Sequence, residues 1–226
     1  MVVLQLMLGE IVVQTPGHHR LVNYVGIDVG RVWKWVTLVA LSFGVWGAML
    51  AYMGVGGTFL HLLLSPIIGG EPAVYSYVLA AVSSLLMFGG LALASRIEYL
   101  VVSALLFLFT FIILSCIPSI DLAHFTSLDL KEAFTPYGVI LFSLAGMGIV
   151  PELKDVLGKN HQRQLAPVII LSMAVIILLY ALFAFGVVGV TGDGTTSMAF
   201  EGLVPYLGET FRVVATLLGS LTILSI

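Results

Sequence analysis

Charged residues are scarce in this chain of 226 residues, since Asp, Glu, Lys and Arg together make up 9% of it and hydrophobic residues make up 60%. A soluble domain is about half apolar and contains about 25% charged residues. A water-soluble fold could not bury so many apolar side chains. The composition therefore excludes a soluble globular domain.

Several signatures of chemistry are also missing. Cys116 is the only cysteine, which excludes an internal disulfide and a cysteine metal cluster. The net charge of -3 and the lack of a basic run argue against a nucleic-acid partner. The chain has no HExxH, no GxSxG and no phosphate-binding glycine loop, and the segment TGDGTT at 191–196 has the composition of a turn. We therefore predict no enzyme activity, no metal, no cofactor and no nucleic acid.

Long runs without Asp, Glu, Lys, Arg or His are present instead. A helix rises about 1.5 Å per residue, so about 20 residues cross the roughly 30 Å hydrocarbon layer of a bilayer. Membrane β-strands would be nearer 10 residues, with alternating polarity. The predicted fold class is all-α, a polytopic helical membrane protein. Its five complete spans are residues 36–60, 73–95, 99–120, 133–151 and 165–192.

The loops between these runs predict the orientation, because Lys and Arg accumulate on the cytoplasmic side of short loops. We place the loops at 13–36, 96–98 and 152–164 inside, and those at 65–72, 121–132 and 193–209 outside. On this assignment the outside holds only Lys131 and Arg212. All other basic residues lie inside, namely Arg20, Arg31, Lys34, Arg96, Lys154, Lys159 and Arg163.

The apolar stretches at the two ends of the chain are shorter. Residues 1–13, interrupted by Glu10, cover about 20 Å as a helix, and residues 213–226 stop without a polar flank. A signal peptide is the alternative for the first stretch, but the basic leading region of such a peptide is absent. We predict a partial span at each end. Residues 1–226 would then be a single transmembrane domain fragment, truncated at both ends.

The run PYGVILFSLAGMGIVP at 136–151 differs from its neighbours, because it is rich in glycine and would reach only about 24 Å as one straight helix. Transporters place substrate and ion sites where a glycine- or proline-interrupted helix is broken near the middle of the bilayer. The freed backbone groups there can bind a carboxylate or a cation. A continuous helix whose glycines allow close packing is the alternative. The predicted unwound, substrate-binding stretch is Ser143, Leu144, Ala145, Gly146, Met147 and Gly148.

A second pattern lies in the run at 36–60, where small residues and one tyrosine recur every four positions and share one helix face. Such a stripe predicts a helix–helix interface in lipid. Tyr52 is a further substrate-binding candidate, because its hydroxyl needs a partner in protein or in a cavity. A tyrosine bonded to a nearby backbone carbonyl is the alternative. The stripe consists of Ala40, Gly44, Ala48, Tyr52 and Gly56.

The remaining ionisable candidates are Glu10, His18, His19 and His61. A carboxylate inside an apolar run costs insertion free energy and is often functional. Glu10, however, is close to the predicted cytoplasmic interface. We interpret it as an interfacial glutamate, and the three histidines as interface residues rather than a metal site or a proton relay.

Three stretches carry a resemblance to a known family: LMLGEIVVQTPGHHRLVNYVG at 6–26, GAMLAYMGVGGTFLHLLL at 47–64 and TPYGVILFSLAGMGIVPELKDVL at 135–157. Together they resemble bacterial and archaeal amino-acid permeases. These are related to the tryptophan and tyrosine permeases and to the amino acid/auxin permease group of the APC superfamily. The resemblance covers essentially the whole chain.

Such permeases are similar in architecture to the leucine-transporter type, an inverted-repeat bundle of two five-helix repeats. The resemblance implies that the chain runs from inside family helix 2 to inside helix 8, with the broken sixth helix at 137–153. Tyr52 would lie on the third helix, facing the substrate cavity. The glycine-rich first helix, which supplies the other half of the site, would precede Met1. Thr222 and Ser225 are the candidate hydroxyl ligands of a coupling cation on the eighth helix, and sodium and proton both stay open.

The expected function is ion-coupled secondary transport of an amino acid across the cytoplasmic (cell) membrane by alternating access, as a symporter. The expected partners are an amino-acid substrate, a coupling ion (sodium or proton) and the lipid bilayer. One alternative is a non-transporting gene fragment that lacks a complete site, which the DNA upstream of Met1 would test. The other is an intramembrane enzyme that uses Glu10 or a histidine, which would require an activity lost on substitution of Glu10.

Overall fold

The computed structural model describes residues 1–88, 91–125, 134–196, 199–208, 211, 213–214 and 216–217. Within these residues every regular element is helical and no strand is present. The predicted all-α class is therefore confirmed. The chain divides into two compact units, Met1–Gly44 with Leu128–Tyr180 and Val45–Ser127 with Ala181–Ile226, and each is described by itself.

The described residues form helices of very different lengths. In chain order, the α-helices are α1 (Val2–Gln14), α2 (Leu21–Asp28), α3 (Arg31–Ile68), α4 (Pro72–Phe88), α5 (Leu91–Cys116), α6 (Tyr137–Ser143), α7 (Val150–Leu157), α8 (Leu165–Thr191) and α9 (Ala199–Leu207). Short 3-10 helices cover Ile117–Ser119, Leu122–Phe125, Met147–Ile149, Lys159–Gln164 and Gly192–Gly194.

Proline and glycine set several of these boundaries. Pro72 begins α4 and Pro151 lies in the first turn of α7, where the missing N–H of proline costs no helical hydrogen bond. Gly69 follows the end of α3 with φ +70°, and Gly158 follows the end of α7 with φ +66°. These values lie in the left-handed region, which glycine adopts without a steric penalty.

The first unit packs α1 and α2 against α7 and the start of α8. Gly9 makes the close approach of α1 possible, since a Cβ built there would lie 3.2 Å from Ile169 Cδ1. The buried core of this unit consists of Val12, Tyr24, Val150, Leu165, Ile169 and Met173.

The second unit has its own core and a close helix contact. A Cβ built on Gly57 of α3 would lie 2.7 Å from the backbone nitrogen of Ser76 in α4, so only glycine fits between these two helices. Part of the predicted stripe lies here, with Gly56 buried. Ala40 and Gly44, further along the stripe, are exposed. The core of this unit consists of Ile112, Cys116, Val187, Val190, Leu203 and Phe211.

Three stretches of the described residues are long and apolar enough to cross a membrane: Arg31–Ile68, Glu98–Ser119 and Asn160–Gly194. Val2–Gln14 and Pro72–Leu85 are shorter apolar helices. Large apolar side chains also face outward along these helices, as at Leu50, which is 72% exposed. Outward-facing apolar side chains on long helices are expected where lipid is the solvent. The chain is a polytopic helical membrane protein, as predicted.

Two loop predictions are wrong. Arg96 and Glu98 lie inside α5, which begins at Leu91, and not in a loop. The residues around them are good helix formers without glycine or proline, whereas Gly89 and Gly90 separate the described ends of α4 and α5. The stretch 152–164 is likewise helical for most of its length, because it consists of most of α7 and a 3-10 helix.

Candidate functional site

The helix predicted to be broken is interrupted in the structure. Helix α6 ends at Ser143 and α7 begins at Val150, with a turn at Leu144 to Gly146 and a short 3-10 helix at Met147–Ile149 between them. The N–H of Gly146 donates to the carbonyl of Leu144 at 2.9 Å, a local bond that a continuous α-helix does not contain. The predicted unwinding is therefore confirmed, and the alternative of a continuous helix is wrong.

The break leaves backbone groups of both kinds without a partner. Among the described residues, nothing donates to the carbonyls of Ser143 and Ala145, and the N–H groups of Met147 and Gly148 have no acceptor. The carbonyl groups lie at the C-terminal end of α6, and the N–H groups lie just before the N-terminal end of α7. These ends carry opposite partial charges, negative at the carbonyls and positive at the amides. The two ends of the break are therefore electrostatically different, negative at the carbonyls of α6 and positive at the amides before α7.

Gln5 of α1 supports the break from the side. Its side chain is only 5% exposed, and its Nε2 donates to the carbonyl of Leu144 at 3.3 Å. A Cβ built on Gly146 would lie 3.4 Å from the same Nε2, so Gly146 leaves room for this amide. Sequence analysis missed Gln5. The available signal was a polar residue in the middle of an apolar helix, which is costly unless its amide is hydrogen-bonded.

Lys154 of α7 is a second polar residue whose environment the sequence did not predict. We placed it in a cytoplasmic loop, and in the structure it is helical and only 5% exposed. Its Nζ donates to the carbonyls of Val12 at 2.7 Å, Thr15 at 2.9 Å and Gly17 at 3.2 Å. The last carbonyls of a helix lack partners within the helix, and a positive charge is favourable at that end. Lys154 therefore closes the C-terminal end of α1 and joins α1 to the helix that follows the break.

One ion pair and one histidine–carboxylate hydrogen bond lie beside this lysine. Arg20 Nη1 is 2.7 Å from Glu152 Oε1, and His18 Nδ1 is 2.7 Å from Asp155 Oδ1. Both pairs are largely exposed, and exposed pairs contribute about 1 kcal/mol or less. Their effect is geometric, because they hold the connection after α1 against α7 at two further points. His18, predicted to be an interface residue, takes part in this contact.

Residues 1–204 match the sequence profile of the tryptophan/tyrosine permease family. The chain belongs to this family. This permease is therefore a multi-pass membrane protein whose general function is amino-acid transport, with an amino-acid substrate and the lipid bilayer as partners. No curated protein and no solved structure matches the chain.

The other predicted substrate-binding residue of the permease, Tyr52, belongs to the second unit, whereas Ser143 to Gly148 belong to the first. Tyr52 is half-buried in α3, and in the described part of the chain its hydroxyl has no hydrogen-bond partner. Within the described residues, the alternative of a tyrosine bonded to a backbone carbonyl is therefore not realised. The predicted ion ligands Thr222 and Ser225 lie outside the described residues.

The remaining candidates have local partners. Glu10 is exposed on α1 and accepts a hydrogen bond from Gln14 Nε2 at 2.6 Å, which fits an interfacial glutamate. His19 and His61 make edge contacts with Tyr24 and Tyr75. The segment TGDGTT is a turn at the end of α8, as predicted, with Gly192 at φ +51° and a bond from Thr195 N–H to the carbonyl of Gly192.

Proposed function

We propose that this permease takes up an amino acid across the cytoplasmic membrane by ion-coupled alternating access, with the break between α6 and α7 as part of the substrate site. The observation that carries the proposal is that, among the described residues, the N–H groups of Met147 and Gly148 and the carbonyls of Ser143 and Ala145 have no hydrogen-bond partner. Irregular backbone at membrane depth is tolerated where it lines a cavity, and transporters use such broken helices as binding sites.

The chemistry of an amino acid fits the two ends of the break. The N–H groups before α7 are suited to the substrate carboxylate, because the positive end of a helix favours an anion. The free carbonyls after α6 are suited to the substrate ammonium or to the coupling cation. The stretch between them is exposed at Ser143, Ala145, Gly146 and Gly148, so a ligand can approach these groups.

Uptake of radiolabelled amino acids tests this function in cells that lack their own transporters. Tryptophan and tyrosine are tested first, because the family description names them, and the other amino acids follow as a panel. Replacement of sodium by choline and collapse of the proton gradient with a protonophore separate the two coupling ions. If no amino acid accumulates above cells with an empty vector, the proposed function is wrong.

A pair of variants tests the site itself. A Cβ built on Gly148 or on Gly138 meets nothing within 4 Å, so both positions are open at the first side-chain atom. Gly148→Leu places an apolar side chain beside the free N–H groups and should lower uptake at least about tenfold, as expected when a key binding contact is lost. Gly138→Leu, in the first turn of α6, should retain uptake. Equal uptake by the two variants would place the substrate elsewhere. Tyr52→Phe tests the predicted hydroxyl contact of Tyr52 in the same assay.

A further inference from the structure

A cavity of about 540 Å³ lies in the first unit, away from the helix break. The connection between α1 and α2 forms one side, and α2 and the first turns of α3 form the others. Its lining includes His19, Asn23, Gly26, Arg31, Lys34 and Trp35. None of its lining residues is acidic.

The cavity holds two basic side chains that have no acidic partner in the described part of the chain. Arg31 and Lys34 are three residues apart on α3 and therefore share one helix face. Within the described residues neither has an ion-pair partner, whereas Arg20 and His18 of the preceding connection are paired with Glu152 and Asp155. Asp28 ends α2 but does not line the cavity. The site is thus built to receive an anion.

Two glycines shape the cavity. Gly30 has φ +119°, and this left-handed conformation makes the tight connection that turns α2 directly into α3. Gly26 lies under the side chain of Lys34, since a Cβ built on Gly26 would be 2.9 Å from Lys34 Cδ. The aliphatic stem of Lys34 therefore packs against α2 and holds the ammonium group at the cavity.

The residues around the cavity also have the composition of a membrane–water interface. Arg31 begins the longest apolar helix of the chain, Arg31–Ile68. Trp33 and Trp35 follow in its first turns and are 56% and 57% exposed. Tryptophan concentrates at the membrane–water interface, and arginine and lysine near helix ends extend toward the headgroups. The start of α3 has this interfacial composition.

We propose that this cavity binds the phosphate of an anionic phospholipid headgroup, with Arg31 and Lys34 as its principal ligands and His19 and Asn23 as further donors. Arg31 can bind two phosphate oxygens at once, and Lys34 acts as a point charge. Basic pockets beside membrane helices bind anionic headgroups through this chemistry. The lipid fixes the start of α3 at the membrane surface.

Native mass spectrometry of the full chain tests the proposal. The protein in nonionic detergent is titrated with phosphatidylglycerol, with phosphatidylcholine of the same acyl chains, and with inorganic phosphate as a competitor. We expect the chain to bind phosphatidylglycerol at least about fivefold more tightly than phosphatidylcholine. Arg31→Gln and Lys34→Gln should each weaken phosphatidylglycerol binding about fivefold, as expected for loss of one basic residue near the surface. Arg163→Gln removes one exposed charge outside the cavity and should leave binding unchanged.

Several results would overturn the proposal. Equal binding of the two lipids would mean that the headgroup charge is not recognised. A loss in Arg163→Gln equal to that in Arg31→Gln would mean general surface attraction. Displacement of the lipid by inorganic phosphate at equal concentration would assign the cavity to a free anion. If one variant fails to fold, as judged by circular dichroism, the other decides the question.

Discussion

The buried lysine at the end of α1 gives the sharpest test of how this permease is held together. In Lys154→Met the side chain keeps its approximate length but loses the ammonium group. The bond to the carbonyl of Val12 is buried, so its loss leaves a buried acceptor unsatisfied at a cost of about 1 to 3 kcal/mol. Water can replace the donor at Thr15 and Gly17, where the bonds are only partly buried.

Two smaller effects act in opposite directions. Loss of a positive charge at the C-terminal end of α1 costs about 0.3 to 1 kcal/mol. Removal of an ammonium group that is 5% exposed relieves its desolvation, which offsets part of the loss. We expect the free energy of unfolding to fall by about 2 kcal/mol in total.

The measurement is unfolding of the detergent-solubilised protein by titration with dodecyl sulfate, followed by far-ultraviolet circular dichroism. Arg163→Met is the control, because Arg163 is exposed and donates to no backbone carbonyl in the described part of the chain. It should change the free energy of unfolding by about 0.5 kcal/mol or less. If Lys154→Met is no less stable than this control, the carbonyl contacts contribute nothing and the reasoning is refuted. Lys154→Arg, which keeps a cation, should recover part of the loss.

Three further predictions follow from the same structure. Gly57→Ala should lower the free energy of unfolding by about 1 to 3 kcal/mol, because its Cβ meets the backbone of α4. Gly54→Ala, whose Cβ meets nothing within 4 Å, should leave the free energy of unfolding unchanged or raise it. A lower thermal unfolding temperature for Gly54→Ala than for Gly57→Ala would contradict the α3–α4 contact. Arg20→Gln should cost about 1 kcal/mol or less in the dodecyl sulfate titration, since Arg20 and Glu152 are 68% and 48% exposed, and a larger loss would mean that this pair is more than a surface contact. Gln5→Leu should lower amino-acid uptake several-fold while changing the free energy of unfolding by about 1 kcal/mol or less. Gln14→Leu, on the exposed side of α1, should leave uptake unchanged. Equal uptake by the two variants would mean that Gln5 is not part of the site.

Sequence alone was sufficient for the class of protein and for the position of the break. The length and apolarity of a span are properties of one continuous segment, so α3 and α8 were recognisable without any knowledge of their neighbours. Glycine spacing within a short run indicated the interruption at Leu144 to Gly146 but left a continuous helix open, and the resemblance to the permeases favoured the break. The start of α5 was placed wrongly because charge was taken as the sign of a loop, whereas helix propensity continues through Arg96 and Glu98.

Only the tertiary structure decided which polar side chains are buried and which glycines are packed. Lys154 lies in a polar stretch of sequence that predicts a loop, but the carbonyl of Val12 that accepts its hydrogen bond lies 142 positions away in the chain. Gln5 meets the carbonyl of Leu144 across 139 positions. Gly57 is enclosed and Gly54 is open, although both lie in the same apolar helix. Hydropathy and spacing describe a residue's neighbours in sequence, whereas the free energy of a buried donor or a close helix contact depends on neighbours that only folding brings together.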